Sequence, residues 1–412
     1  MKRILVSLAG AATALCVGAG LLVSAPAANA APRPIVVWVD ASMRPAAKAV
    51  FADGYKKRKI KVVSVDMNTL SDQLLNGDPE TAPDIVLIEN EMTAELAAAT
   101  LIAPVEIPAT VQRVLAPAAL GGFKYGFSYY GMPMQRQNIA MITNANLIPT
   151  APKNFKQLSN RALALKEAGT VTTPFAVGQG IDGDAYLTYP LFAGLGGFAF
   201  GTNPAGSLDP VKIGINNKKF RGNAGLIDTW NSTGLMNSAL TAEEAKTAFI
   251  SGQAPFWLAS PEDIPALRTV NFRYRITSVP TIVKGITPAP LLKSWGFAVT
   301  PFARQHGLLP AVTDLVVNIA SSAESQSAFF AKSEVAALPA NTVATAAVTD
   351  RVLLAFGAAA TGAATPYPNI PQWGTVGMAL GGAWRDATRG ADAVPAKRAF
   401  ARAQAAAVTA LR

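Results

Sequence analysis

The stretch Ile35-Val36-Val37-Trp38-Val39 is β-branched almost throughout, is bounded by prolines on one side and by Asp40-Ala41-Ser42 on the other, and shows no polar alternation. Such a run suits a strand buried on both faces. Next, Ala46, Ala47, Val50, Phe51 and Tyr55 fall at helical spacing, and Val62 to Val65 return to strand composition. A short helical pattern through Leu70, Leu74 and Leu75 leads to Pro83-Asp84-Ile85-Val86-Leu87-Ile88, a second buried strand. This alternation predicts a parallel, doubly wound α/β sheet. Ligands bind such sheets beyond the carboxyl ends of the strands, and here those ends are Asp40 to Ser42 and Glu89 to Glu91.

A second α/β region begins near Leu147. Thr241 and Glu244 make a capping-box pattern ahead of the helical run Ala245, Ala248, Phe249. Pro255-Phe256-Trp257-Leu258-Ala259 reads as a buried strand that opens into the polar loop Ser260-Pro261-Glu262-Asp263. The tail from Ala396 is helical, with Phe400, Gln404, Val408 and Leu411 on one stripe. Trp38, Trp230 and Trp257 lie inside apolar patterns and are expected in cores. Residues 340–364 are alanine-rich, and no internal repeat is present.

Met1-Lys2-Arg3 precedes an apolar run from Ile4 to Val23, and Ala28-Asn29-Ala30 then supplies a small-x-small motif. This is the pattern of a cleavable signal peptide over residues 1–30; the rival is an uncleaved membrane anchor. A periplasmic or secreted protein is therefore expected. It would have 382 of the 412 residues and no cysteine, because Cys16 lies in the leader. Removing Lys2 and Arg3 from 36 basic residues, against 26 acidic ones, leaves a net charge of +8.

These counts exclude structural disulfides and cysteine nucleophiles. One histidine, His306, leaves almost no material for histidine-based triads or zinc sites. Within Arg304-Gln305-His306-Gly307 it is expected to be a solvated loop residue. No cofactor or metal is expected. The dense basic run Lys56-Lys57-Arg58-Lys59 has no interleaved aromatic residue for base stacking, so it reads as a solvated corner and nucleic acid is not an expected partner. Gly194-Leu195-Gly196-Gly197 lacks the lysine and hydroxyl residue of a phosphate loop.

Several segments, in order, carry a resemblance: Val36-Val37-Trp38-Val39, Ala82-Pro83-Asp84-Ile85, Gly131-Met132-Pro133, Thr143-Asn144-Ala145-Asn146-Leu147, residues 185–191 with 196–200, residues 248–252, and Pro368-Asn369-Ile370-Pro371-Gln372. Their collinearity resembles the family 1 extracellular solute-binding proteins of ABC importers, the group that includes the maltose-binding protein. The resemblance implies two discontinuous α/β lobes joined by three crossings, near Gln135 to Gln137, Trp295 to Phe297 and Leu338 to Ala340. The first lobe would comprise residues 31–136 plus 297–338 and the second 137–296 plus 339–412. It also implies a monomer that closes over a small ligand, a carbohydrate, and delivers it to the permease subunits of an ABC transporter.

A sugar site needs flat aromatic faces and planar polar groups. The candidates are Asp40, Ser42 and Glu91 from the first lobe, Arg136 and Gln137 from the crossing, and Asp184, Tyr186, Glu262, Trp295 and Trp373 beyond it. By the resemblance, Ser42, Glu91, Gln137, Asp184, Tyr186 and Glu262 stand where the maltose-binding protein lines its site. Ile88, Glu262 and Gly377 stand where it has stacking tryptophans, and Met92 replaces an arginine, so maltose itself is not the expected ligand. Trp295 and Trp373 offer another stacking pair. Arg136 suits either a ligand carboxylate or a hinge salt bridge, and Asp40 either the ligand or a helix cap. The rival from another class is a glycoside hydrolase using Glu91 and Glu262 as paired carboxylates; a surface-interaction protein with no small ligand is a third reading.

Overall fold

The computed structural model describes residues 32–411; the leader, its cleavage motif and Cys16 lie outside the described residues. The strand Ile35–Val39 forms where its sequence pattern places it, with Ile35, Val37 and Val39 fully enclosed. It pairs in parallel with Ile60–Ser64 on one side and with Ile85–Glu89 on the other. The intervening helices are short, Arg44–Val50 and Leu70–Asn76. The first stops before Tyr55 because the chain turns back at Gly54, Lys56 and Lys57, all with positive φ, and Tyr55 bridges to Arg58. This is the basic corner, and Lys56 reaches Asp314 at 3.6 Å from an exposed position.

The sheet is not parallel throughout. From edge to edge it runs 338–339, 132–138, 291–299, 85–89, 35–39, 60–64, and 365–366 pairs with the start of 291–299. The strand Leu291–Val299 lies antiparallel to both Ile85–Glu89 and Met132–Asn138. Local periodicity could not show this, since a strand some 200 residues downstream is inserted into the middle of the sheet.

Three chain segments meet side by side at that point: Arg136 is opposite Ser294 and also opposite Leu338. Only Ile139 separates Met132–Asn138 from Ala140–Asn144, the central strand of a second, three-stranded antiparallel sheet with Phe256–Ala259 and Tyr274–Thr277. The buried Asn138 side chain donates to Phe356 O at 2.8 Å and fixes this passage. The result is a two-lobed α/β fold. One core gathers Ile35 to Met134 with Leu292 to Ala340, and the other gathers Ile139 to Leu291 with Ile370 to Ala407. Trp230 and Trp257 are buried as expected, whereas Trp38 is partly buried beside Val86 and Ile88. The C-terminal helix Ala396–Ala410 buries Ala399, Phe400, Ala403 and Ala407; Gln404 instead ties Asn216 N and Ile213 O. Among the described residues no helix is long and apolar enough to cross a membrane.

His306 is not a solvated loop residue. Its side chain is 5% exposed, with Nδ1 2.7 Å from Oδ1 of the fully buried Asp84 and Nε2 2.7 Å from Pro79 O. Asp84 sits at the entry to Ile85–Glu89, and its other carboxylate oxygen accepts from Val36 N at 2.8 Å. The local sequence around His306 is polar, but the turn after the helix Phe302–Gln305 brings the ring to Asp84 at the entry of the central strand Ile85–Glu89.

Candidate functional site

A cleft of two compartments opens at the carboxyl ends of the first strands. The first, of about 670 Å³, is lined by Glu91, Met92, Glu95, the loop 179–186, Tyr367 and residues 370–378 of the turn and helix that begin at Trp373. The second, of about 530 Å³, is lined by Asp40, Ser42, Met67, Glu89, Glu262 and Trp295 among others. Glu91, Met92 and Glu95 belong to both, so the compartments are continuous.

Each wall follows from local sequence. Asp40 ends its strand and caps the next turn, accepting from Ser42 N at 2.9 Å and Ser42 Oγ at 2.6 Å, and the Ser42 hydroxyl holds its carboxyl below the usual range. It is thus a cap and a lining residue at once. Asp184 caps Ala185–Gly194 by accepting from Leu187 N at 2.8 Å, and burial raises its pKa. Ser260 and Asp263 cap each other reciprocally and present Glu262 between them. Tyr186, Tyr367 and Trp373 form a row of edge-to-face rings, with centroids 5.6 Å apart at each step. Lys293 Nζ lies 5.2 Å from the Tyr186 ring centre and 4.9 Å from that of Tyr367. Burial raises the pKa of Tyr186, and pushes that of Tyr367 up to about 12.

Eight expected residues therefore line one cleft: Asp40, Ser42, Glu91, Asp184, Tyr186, Glu262, Trp295 and Trp373. Trp295 lines the second compartment and Trp373 the first, so each serves its own end of the cleft. Gln137 lies behind the lining and reaches it through Glu262, with Nε2 3.5 Å from Glu262 Oε1. Arg136 is not a lining residue. It lies half-buried on the crossing strand, its guanidinium close to Gly357, and its Nε is enclosed without a partner. Burial alone lowers its pKa.

Sequence reasoning missed Lys293, Tyr367 and Gln179, and named Glu89 only as a ligand-facing strand end. Glu89 accepts from Trp295 Nε1 at 3.1 Å. Lys293 stands two residues before Trp295 on one strand, hence on the same face, which is a signal the sequence does contain. Tyr367 carries none, because its place depends on Asn90 Nδ2 donating to Tyr367 O at 2.8 Å, across 277 residues.

Burial raises the Glu89 pKa above its ordinary 4.5; the neighbouring Glu91 and Glu262 charges push the same way, while Lys293 and Trp295 oppose. A raised folded value means the native state holds more protons than the unfolded chain between the two values, so stability falls as pH rises through that window. Glu89→Gln keeps the acceptor for Trp295 and removes the charge. It is expected to raise stability at neutral pH, with the gain shrinking to nothing as pH falls below about 4.5. Denaturation of both forms at several pH values checks this, and a pH-independent difference would refute it.

A family model described as bacterial extracellular solute-binding protein matches residues 40–323. The chain is similar to the maltodextrin-binding protein MdxE of Bacillus subtilis (strain 168), 26% identical over 263 residues, 60% of this chain and 59% of that one. That alignment spans less than two thirds of the relative. A galactooligosaccharide-binding protein of the same organism is 22% identical over 355 residues, 82% of this chain and 80% of that one. Among solved structures, a cyclo/maltodextrin-binding protein complexed with maltotetraose matches at TM-score 0.78 and 19% identity, covering 92% of this chain and 98% of that one. An extracellular solute-binding protein from Staphylococcus aureus in complex with maltose matches at TM-score 0.80 and 21% identity over the same shares.

Proposed function

The chain belongs to the bacterial extracellular solute-binding protein family, and on that premise we propose that it captures a saccharide between its lobes and delivers it to an ABC importer. The observation that carries this reading is the continuous cleft itself, which joins Asp40 and Glu91 of the first lobe to Asp184, Tyr186, Glu262 and Trp373 of the second, with Trp295 at a crossing. Carboxylates accept from sugar hydroxyls, and the aromatic faces take the apolar side of the ring. Two solved structures that this fold matches hold maltotetraose and maltose, and the curated relatives bind maltodextrin and galactooligosaccharides by name.

The lobe boundaries follow the three adjoining segments at Arg136, Ser294 and Leu338, about which the lobes close on the ligand. The leader is removed after Ala30, and the exported protein acts as a monomer on its permease. Binding, not hydrolysis, is the reading for Glu91 and Glu262, because the family is one of solute-binding proteins.

A thermal-shift screen with mono- and disaccharides, polyols, uronic acids and polyamines tests the proposal, since a ligand of the native state raises apparent stability. A saccharide that raises the melting temperature supports it; stabilisation by none of them sinks it. New reducing ends after incubation with oligosaccharides would point to hydrolysis instead. Glu91 lines both compartments, so Glu91→Ala is expected to weaken the binding saccharide by about 1.5–3 kcal/mol, the worth of a hydrogen bond to a charged group, or roughly tenfold or more in Kd. Unchanged affinity by calorimetry would remove Glu91 from the site.

A further inference from the structure

The cleft is lined by carboxylates without a single basic side chain. Asp40, Glu89 and Glu262 face the second compartment, Asp182 and Asp184 the first, and Glu91 and Glu95 the region where the two meet. Among the described residues none of them is ion-paired: the salt bridges all lie elsewhere. This occurs in a chain whose 36 basic residues outnumber its 26 acidic ones. Lys293, whose charge acts on Glu89 and Asp184, is not a lining residue and has its ammonium over the Tyr186 and Tyr367 rings.

A second observation is independent of charge. Gln179 lines the first compartment and is 4% exposed; its Nε2 donates to Thr388 Oγ1 at 3.1 Å, and its Oε1 is enclosed without a partner. The Oε1 of Gln137, 5% exposed and behind the lining, is equally unpartnered. An enclosed acceptor without a donor costs free energy until a donor reaches it. Beside the carboxylates, the first compartment thus holds an acceptor on Gln179 that no donor of the chain meets.

Resting on the saccharide reading above, we propose that the ligand carries a primary ammonium group, an amino sugar or a short oligomer of one, with its cation held by the carboxylates where the compartments join. A neutral sugar could donate hydroxyl hydrogens to these groups, but it would leave several like charges uncompensated as the lobes close and water leaves. An ammonium supplies three donors and the missing charge together. The negative field of the cleft also repels sugars that bear a carboxylate.

Calorimetric titration of the purified protein tests this with glucosamine, galactosamine and their disaccharides against the N-acetylated and unsubstituted counterparts. The amines are expected to bind at least about tenfold more tightly, with the advantage shrinking as salt is raised. Glu91→Gln should weaken the amine more than the neutral sugar. Neutral or N-acetylated sugars that bind as tightly as the amines would overturn this proposal and leave saccharide capture standing. If a simple diamine such as putrescine binds and no saccharide does, or if nothing binds, both readings fall.

Discussion

Replacing His306 by alanine is expected to lower the unfolding free energy by about 1–3 kcal/mol, the penalty for leaving a buried hydrogen-bonding group without its partner. Both ring nitrogens face oxygen, Asp84 Oδ1 and Pro79 O, each at 2.7 Å. Asp84 is fully buried and also binds three backbone groups: its Oδ2 accepts from Val36 N, its N donates to Val36 O, and its O accepts from Thr300 N. It thereby ties strands from both ends of the first lobe. Without the ring, Oδ1 of a fully buried carboxylate loses the imidazole nitrogen that lies 2.7 Å from it. Urea titration of wild type and variant measures the loss, and a cost below about 1 kcal/mol would show that the pair is dispensable.

Gly183→Ala is expected to cost about 3 kcal/mol or more, from overpacking and a left-handed backbone together. Gly183 has φ +77°, and a Cβ there would sit 2.0 Å from Gly381 O, while a Cβ on Gly381 would meet Gly183 O at 2.9 Å. The two glycines let the loop 179–186 and the helix Trp373–Ala387 touch backbone to backbone, which forms the wall of the first compartment. Gly180→Ala is the control. Its φ is +64° but nothing lies within 4 Å, so only the conformational penalty of about 1 kcal/mol applies. Equal costs at the two positions would contradict the close approach.

The first strands, the capping box of Thr241 and Glu244 and most cleft residues were legible in the sequence because each depends on neighbours a few residues away. Asp40 and Asp184 show the limit of such reading: a helix cap and a lining carboxylate look alike, and here one side chain does both. What stayed illegible depends on distant partners. The antiparallel insertion of Leu291–Val299 brings Lys293 and Trp295 to the site, and the bond between Asn90 and the Tyr367 carbonyl brings the third ring. His306 was misread for the same reason, since its partner lies 222 residues upstream. Arg136 stands at a crossing, as its position suggests, but the strand's alternation leaves it outside the lining while Gln137 reaches the lining through Glu262.

Crystals grown with a saturating saccharide that passes the thermal screen test the central claim most directly. Density for the sugar is expected in the cleft, with hydroxyl or ammonium groups within hydrogen-bond distance of Glu91 and Glu262 and a ring face against Trp295 or Trp373. Density for the sugar elsewhere on the surface, with the cleft holding only solvent, would contradict it.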